Sequence, residues 1–358
     1  MSKRFVIIGA GNGGQSLAGD LVLGGTNVTA IYDKNPKMVE PIAAQGGIKM
    51  SGPVVEGFAP IPLATADMKE AMEAGDVFLV AITNNFQTSL AKDIAPYVKK
   101  EQAILLIPGY VGSSIAFANT LKDAGVTELP LIGESLSLLY ATRLIAPAHA
   151  GIKSKKFAFP IAAFPATRNQ ELYDLIHPAI KETILFRDTM EIGFKNPHPL
   201  THPVYYMFNL GKVETPEGQT SDFHAWGTPI VDRIRDSVDA ERLELAKAMG
   251  VKLLTYKEFK EMSYKGTHYK PLKQDLTDLP DSSSQAPARF IDEDIPMGLV
   301  AYQSFGKLLG VPTPTVDTII KMGNLVRQKD FTKEGTTVEK LGLTGMTAEE
   351  ILDYVRNN

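Results

Sequence analysis

No cysteine occurs in the 358 residues, which excludes disulfides, thiolate nucleophiles and every cysteine-ligated zinc or iron–sulfur site. Long hydrophobic runs are missing too: the apolar stretches Val77–Ile82 and Ala103–Ile107 are far too short to cross a bilayer. Neither sign of charge dominates. With 37 basic and 41 acidic residues the net charge is −4, and like charges form no block. A protein that works by neutralising phosphates is normally basic, so nucleic-acid binding is not expected as a main function. Lys3-Arg4 and the apolar residues after it imitate a signal peptide, but glycines interrupt the run after about five positions. A soluble, cytoplasmic protein without a membrane partner is predicted. Its length and 44% hydrophobic content supply enough apolar material for two domains.

What is present divides the chain near residue 187. Before it, short and nearly unbroken apolar runs alternate with amphipathic stretches. The runs are Phe5–Ile8, Val28–Tyr32, Val77–Ile82, Ala103–Ile107, Leu129–Ile132, Phe157–Ile161 and Thr183–Phe186. Such runs suit strands covered on both faces, and Asn84–Val98 and Ser114–Ala124 read as helices between them. Regular alternation predicts a doubly wound parallel sheet, a Rossmann-type domain over 1–187. From 188 to 358 the period becomes helical. Val231–Met249 ends at Gly250, Leu299–Leu309 and Val316–Val326 follow, and Thr347–Val355 opens with a capping box from Thr347 to Glu350. Residues 275–287, rich in Asp, Ser and Pro, read as a loop. An α/β domain followed by an all-α domain is expected.

The first motif is a phosphate cradle. The apolar run Phe5–Ile8 leads into Gly9-Ala-Gly11-Asn12-Gly13-Gly14, the pattern G-x-G-x-x-G, and Asp33 ends the next strand 19 residues after Gly14. Gly9 permits the tight turn, Gly11 lets the backbone approach a pyrophosphate, and Gly14 allows helix and strand to pack closely. The pyrophosphate then rests on the N-terminus of the following helix. A carboxylate at Asp33 accepts both ribose hydroxyls and repels a 2′-phosphate, so NAD is favoured over NADP, with Lys34 next door weakening the preference.

The second is histidine in Asn196-Pro-His198-Pro-Leu-Thr-His202-Pro203. On a helix, His198 and His202 would point the same way and suggest a metal pair. Two prolines argue against a regular helix before residue 203, and no neighbouring Glu completes a zinc signature, so no metal is expected. A general acid–base role suits His202 better, because imidazole titrates near neutrality. Such a histidine needs a carboxylate to fix its tautomer, and Asp292, Glu293 and Asp294 are all candidates on sequence alone.

These residues resemble the opine dehydrogenase family along nearly the whole chain. The likeness runs through Gly9–Gly14, Pro108-Gly109, Gly133-Glu134-Ser135 leading to Arg143, His202-Pro203 and Val238-Asp239-Ala240-Glu241-Arg242. It continues through Arg289 with Glu293-Asp294, Val311-Pro-Thr-Pro314, and Phe331-Thr-Lys-Glu-Gly335 to Leu343. The resemblance implies NADH-dependent reductive condensation of an amino acid with a 2-oxo acid, typically pyruvate, through an imine. It makes His202 and Asp294 the catalytic pair and Arg289 the carboxylate-binding residue, with Arg143 (or else Arg143 pairs with Glu134) and Asn209 as further substrate contacts. It adds Thr83, Pro108 and Gly109 to the cofactor site and implies a homodimer. Departures are Pro197, His198 and Pro199 ahead of His202, Leu210 after Asn209, and the bulky Tyr205, Tyr206 and Phe208, of which two are assigned to the core. The alternative is a 2-oxo acid reductase of the ketopantoate or 6-phosphogluconate type, which would use a lysine such as Lys195 or Lys212. A protein that binds NAD without turnover would need none of His202, Asp294 and Arg289.

Overall fold

The computed structural model describes residues 2–215, 227–259 and 288–357. The loop expected at 275–287 lies outside the described residues. Twelve strands are described: β1 (Phe5–Ile8), β2 (Val28–Tyr32), β3 (Gly47–Ser51), β4 (Gly57–Pro60), β5 (Leu63–Thr65), β6 (Val77–Val80), β7 (Ala103–Leu106), β8 (Leu131–Ser135), β9 (Tyr140–Ala146), β10 (His149–Lys155), β11 (Phe159–Phe164) and β12 (Thr183–Leu185). Eight of them form one sheet in the order β12-β11-β8-β7-β6-β1-β2-β5.

From β5 to β8 every neighbouring pair is parallel. β1, β6 and β7 are buried along their whole length, which is why their sequences are unbroken in apolarity. Chain order reverses between β1 and β6, so a crevice opens at their carboxyl ends, the place where open α/β sheets bind ligands. β11 departs from the expected parallel sheet and runs antiparallel to β8, pairing Ile161 with Ser135. The start of β11 therefore lies at the same end of the sheet as the ligand crevice.

A second sheet, β4-β3-β10-β9, was not expected. It covers the first helix, Asn12–Leu23: Gly19 sits so close to the Met50 side chain that a Cβ there would collide with it, and the Ser16 and Thr142 hydroxyls hydrogen-bond. The expected helix over Asn84–Val98 is a 3₁₀ turn (Asn84–Phe86) followed by a helix that stops at Ile94.

The second half is helical. Its long helix Pro229–Ala248 is capped by Thr228, whose hydroxyl accepts from the Val231 amide. The run Asp239-Ala240-Glu241-Arg242 proves architectural. Arg242 and Asp239 form a buried pair 2.6 Å apart, and the guanidinium also donates to the Phe194 and Leu254 carbonyls. Glu241 accepts from the Thr315 and Val316 amides at the start of the Pro314–Arg327 helix. A charge buried with this many partners is tolerable; stripped of one it would be costly. The capping box at Thr347 and Glu350 forms as predicted, opening the Ala348–Asn357 helix. Among the described residues no helix is long and apolar enough to cross a membrane.

Candidate active site

β1 delivers the chain into Gly9, which takes a left-handed φ of +100° and lies against β6's end; a Cβ there would sit 2.7 Å from the Ala81 carbonyl oxygen. Gly14 packs against the Gly9 carbonyl more closely still, so that a Cβ there would collide with the oxygen. Gly11 is the opposite case, with nothing within 4 Å of where its Cβ would be. Two glycines tighten the turn while the third keeps a space open at a helix N-terminus, and that fits a dinucleotide pyrophosphate. Asp33 is anchored beside it: its carboxylate accepts from the Ala10 amide at 2.8 Å and the Asn35 amide at 2.9 Å. So held, it presents a fixed negative charge where a ribose would lie. Asn12 uses its side-chain carbonyl to accept from the Leu144 amide, tying the cradle to β9. Thr83 precedes the 3₁₀ turn after β6. Pro108 follows a cis peptide, and Gly109 packs so tightly over Glu134 that a Cβ would fall 2.7 Å from its carboxyl carbon.

His202 lies on the helix His198–Met207, which begins earlier than the prolines suggested. The reason is positional. Pro199 occupies the first turn, where a missing N–H costs nothing, so the helix starts through it and accommodates Pro203 inside. His198 and His202 consequently do share a face, their rings stacked 4.8 Å apart at 14°. Together with Asp294 they cluster within 4.8 Å. Stacked rings, however, hold their lone pairs in parallel planes rather than aiming them at one point, and His202 Nδ1 is already engaged.

That engagement is the core of the site. His202 Nδ1 lies 3.0 Å from Asp294 Oδ2, in a pair buried from solvent. Tyr110, which no sequence motif marks, donates its hydroxyl to Asp294 Oδ1 at 2.6 Å. The imidazole is sandwiched between His198 and Phe290, the latter 3.9 Å away. Asp294 is placed by a π-helical turn, Ile295–Leu299, that follows the short helix Arg289–Asp292. Such turns recur at functional sites. Here Gly298 lets the turn approach Pro199 closely enough that a Cβ would collide with that ring, which seats Asp294 beneath His202.

Glu293 reaches the other way. Its Oε1 accepts from the Asn84 amide at 2.7 Å, joining the helical half to the β6 end of the crevice, and its Oε2 lies 3.5 Å from Arg289 Nη1. That second contact is an ion pair too long to be a hydrogen bond. Burial raises both carboxyls, with the negative neighbour adding to the rise at Glu293, while Arg289 opposes it in both. His198 is pushed well below the usual imidazole value by burial, by His202, and by the Arg289 and Lys156 cations. Asp294 opposes this shift.

Residues 186–327 match a family described as NAD/NADP octopine/nopaline dehydrogenase, alpha-helical domain. Residues 4–107 match the family NADP oxidoreductase coenzyme F420-dependent. An opine dehydrogenase of Arthrobacter sp. (strain 1C) is 30% identical over 99% of both chains. The chain belongs to the opine dehydrogenase family. As a member of that family it is an oxidoreductase that uses NAD(H). Vitopine synthase of Allorhizobium ampelinum is 23% identical over 99% of this chain and all of that one. The structure of octopine dehydrogenase with NADH and L-arginine shares the fold at a TM-score of 0.74 and 16% identity, covering all of this chain and 99% of the other.

The remaining family positions fall unevenly. Arg289 stays 43% exposed at the side chain beside the His202–Asp294 pair. Arg143 does not pair with Glu134: it lies on β9 with Nη1 on the Thr142 carbonyl, while Glu134 accepts from the Ser114 amide. Glu134 lies on β8 of the large sheet and Arg143 on β9 of the small one, which separates the two. Asn209 lies beyond the end of the His202 helix and donates to the Tyr205 carbonyl. Tyr205 and Tyr206 are buried, and Phe208 is exposed. Lys195 is ion-paired with Glu191 and rests over the Phe186 ring; Lys212 is exposed.

Proposed function

We propose that this protein condenses the α-amino group of an amino acid with a 2-oxo acid, pyruvate being the expected one, and reduces the resulting imine to a secondary amine carrying two carboxylates. The observation that carries the reading is the buried His202–Asp294–Tyr110 chain beside the Arg289 guanidinium, at the crevice where the phosphate cradle opens. Gly9, Gly11, Gly13, Gly14 and Asp33 would hold NADH, which would supply the hydride. Hydride brings no proton, so the nitrogen must draw one from an acid. With Nδ1 oriented by Asp294, His202 exchanges that proton through Nε2, and the Asp294 carboxylate stabilises the imidazolium. Tyr110 keeps the carboxylate in place. Arg289 offers a planar fork that matches a substrate carboxylate bidentately.

Cofactor preference follows from Asp33, whose anchored charge favours NADH over NADPH. A cytoplasmic homodimer completes the reading. The absence of cysteine suits a reducing compartment, and Ile230 and Leu325, 63% and 80% exposed, leave apolar surface on the helical half for a second copy.

An NADH-oxidation screen with pyruvate and each of the twenty amino acids, with and without either partner, tests the activity. Oxidation is expected only with both present. Equal oxidation without any amine would replace this reading with a simple 2-oxo acid reductase.

A further inference from the structure

A substrate or product with two carboxylates calls for two cations, and Arg289 is one. The other is found where sequence did not point. Because β11 runs antiparallel to β8, the residues just before β11 lie at the ligand end of the sheet, and Lys156 is three residues before Phe159. Its backbone amide donates to the Leu139 carbonyl. Its ammonium donates to Ser137 Oγ at 2.6 Å and to the Leu138 carbonyl at 2.8 Å. Both acceptors are neutral. An ammonium has three donors, and this one has no carboxylate partner among the described residues. Leu138 in turn packs on the cradle, within 3.2 Å of where a Gly13 Cβ would be. The Lys156 charge is also felt at His198, which stacks on His202. The cation thus stands beside the cradle, at the ligand end of the sheet.

We infer that the Lys156 ammonium is a carboxylate-binding site for the 2-oxo acid, complementary to Arg289. The inference rests on the proposed function for the identity of its ligand. The 2-oxo acid's carboxylate is bonded directly to the carbon that takes hydride, whereas the amino acid's is three bonds away across the nitrogen. The cation nearer the cradle is therefore matched to the former. Burial alone lowers the ammonium to about 8, the mark of a desolvated cation without a counter-ion, and an arriving carboxylate supplies one.

Oxamate, a carboxylate isosteric with pyruvate, and oxamide, its uncharged counterpart, are titrated calorimetrically into NADH-loaded protein. Lys156→Met is expected to weaken oxamate by about 10-fold or more, the scale of a hydrogen bond to a charged group, while oxamide and NADH affinities hold. Lys156→Arg, which keeps the charge, restores most of the oxamate affinity and serves if the methionine variant folds poorly. Parallel loss of oxamate and oxamide would reduce Lys156 to a clasp for the Ser137–Leu139 loop and overturn the inference. So would wild type failing to bind oxamate. If wild type binds oxamate through Lys156 but turns over no amine and 2-oxo acid pair, the proposed function falls and the site stands.

Discussion

Tyr110 is buried, and exchanging it for phenylalanine removes one oxygen while leaving the ring to fill the same space. The lost contact is the 2.6 Å bond to Asp294 Oδ1. A hydrogen bond to a charged group contributes roughly 1.5–3 kcal/mol, which alters the balance between carboxylate and carboxylic acid by about 10- to 150-fold. At about 1.4 kcal/mol per unit, the Asp294 carboxyl should rise by about one to two units. Burial already raises that group, and the Tyr110 bond opposes the rise, so Tyr110→Phe pushes it further in the same direction. Since the ionised form is what stabilises a His202 imidazolium, the acid limb of kcat should move up in pH by the same one to two units. NADH affinity should not change. Steady-state rates from pH 5 to 9 for wild type and variant, with thermal melts as a folding control, provide the comparison. Superimposable normalised profiles would show that Tyr110 does not act through Asp294.

His202→Ala and Asp294→Ala should each depress kcat by about 10²- to 10⁴-fold and be strongly non-additive, since the two act as one unit; a double mutant whose loss equals the product of the single losses would contradict this. Arg289→Lys keeps the charge but loses the fork, so KM for a carboxylate substrate should rise on the order of 10-fold, and unchanged KM values for both substrates would remove its role. Buried Glu134 is raised well above the usual carboxyl value by desolvation, so the folded protein keeps a proton that the unfolded chain releases above about 4.5. Wild type therefore loses stability as pH rises, whereas a glutamine does not titrate. In urea melts from pH 5 to 8 the stability gap should move in favour of Glu134→Gln by up to about 1.4 kcal/mol per pH unit, and a pH-independent gap would count against the shift.

Strands such as Val77–Val80 and Ala103–Leu106 were legible because burial on both faces demands continuous apolarity, and their shortness sets them apart from a buried helix. Their neighbours in the small sheet were not. Gly47–Ser51 and His149–Lys155 mix lysine, serine and glycine with isoleucine and methionine, because each covers a helix on one face and meets solvent on the other. The direction of β11 was hidden for a different reason: strand orientation depends on the path of the intervening β9–β10 hairpin, not on the composition of β11.

In the site, residue type alone pointed to His202, whereas Asp294 and Arg289 were singled out by the resemblance to the opine dehydrogenase family, since sequence alone left three acids open. Tyr110 gave no such signal. A tyrosine after Pro108-Gly109 reads as core, and it is core, with only its hydroxyl engaged in the site. Lys156 follows Lys155 and reads as part of a solvated polar run. Topology brings it to the crevice, since Lys155 pairs with Asp20 and Glu182 while Lys156 turns to the Ser137 loop. The prolines before His202 misled in the opposite sense, because their effect on a helix depends on whether they fall in its first turn.

In the proposed reaction the reduced atom is an imine carbon and the amine nitrogen ends in the product. Incubation with NADH, pyruvate and a ¹⁵N-labelled amino acid from the active pair, followed by mass spectrometry, reads this directly. One product is expected, its mass that of the two substrates less water plus two hydrogens, with the label retained. Lactate as the reduced product, with the labelled amino acid recovered unchanged, would contradict it.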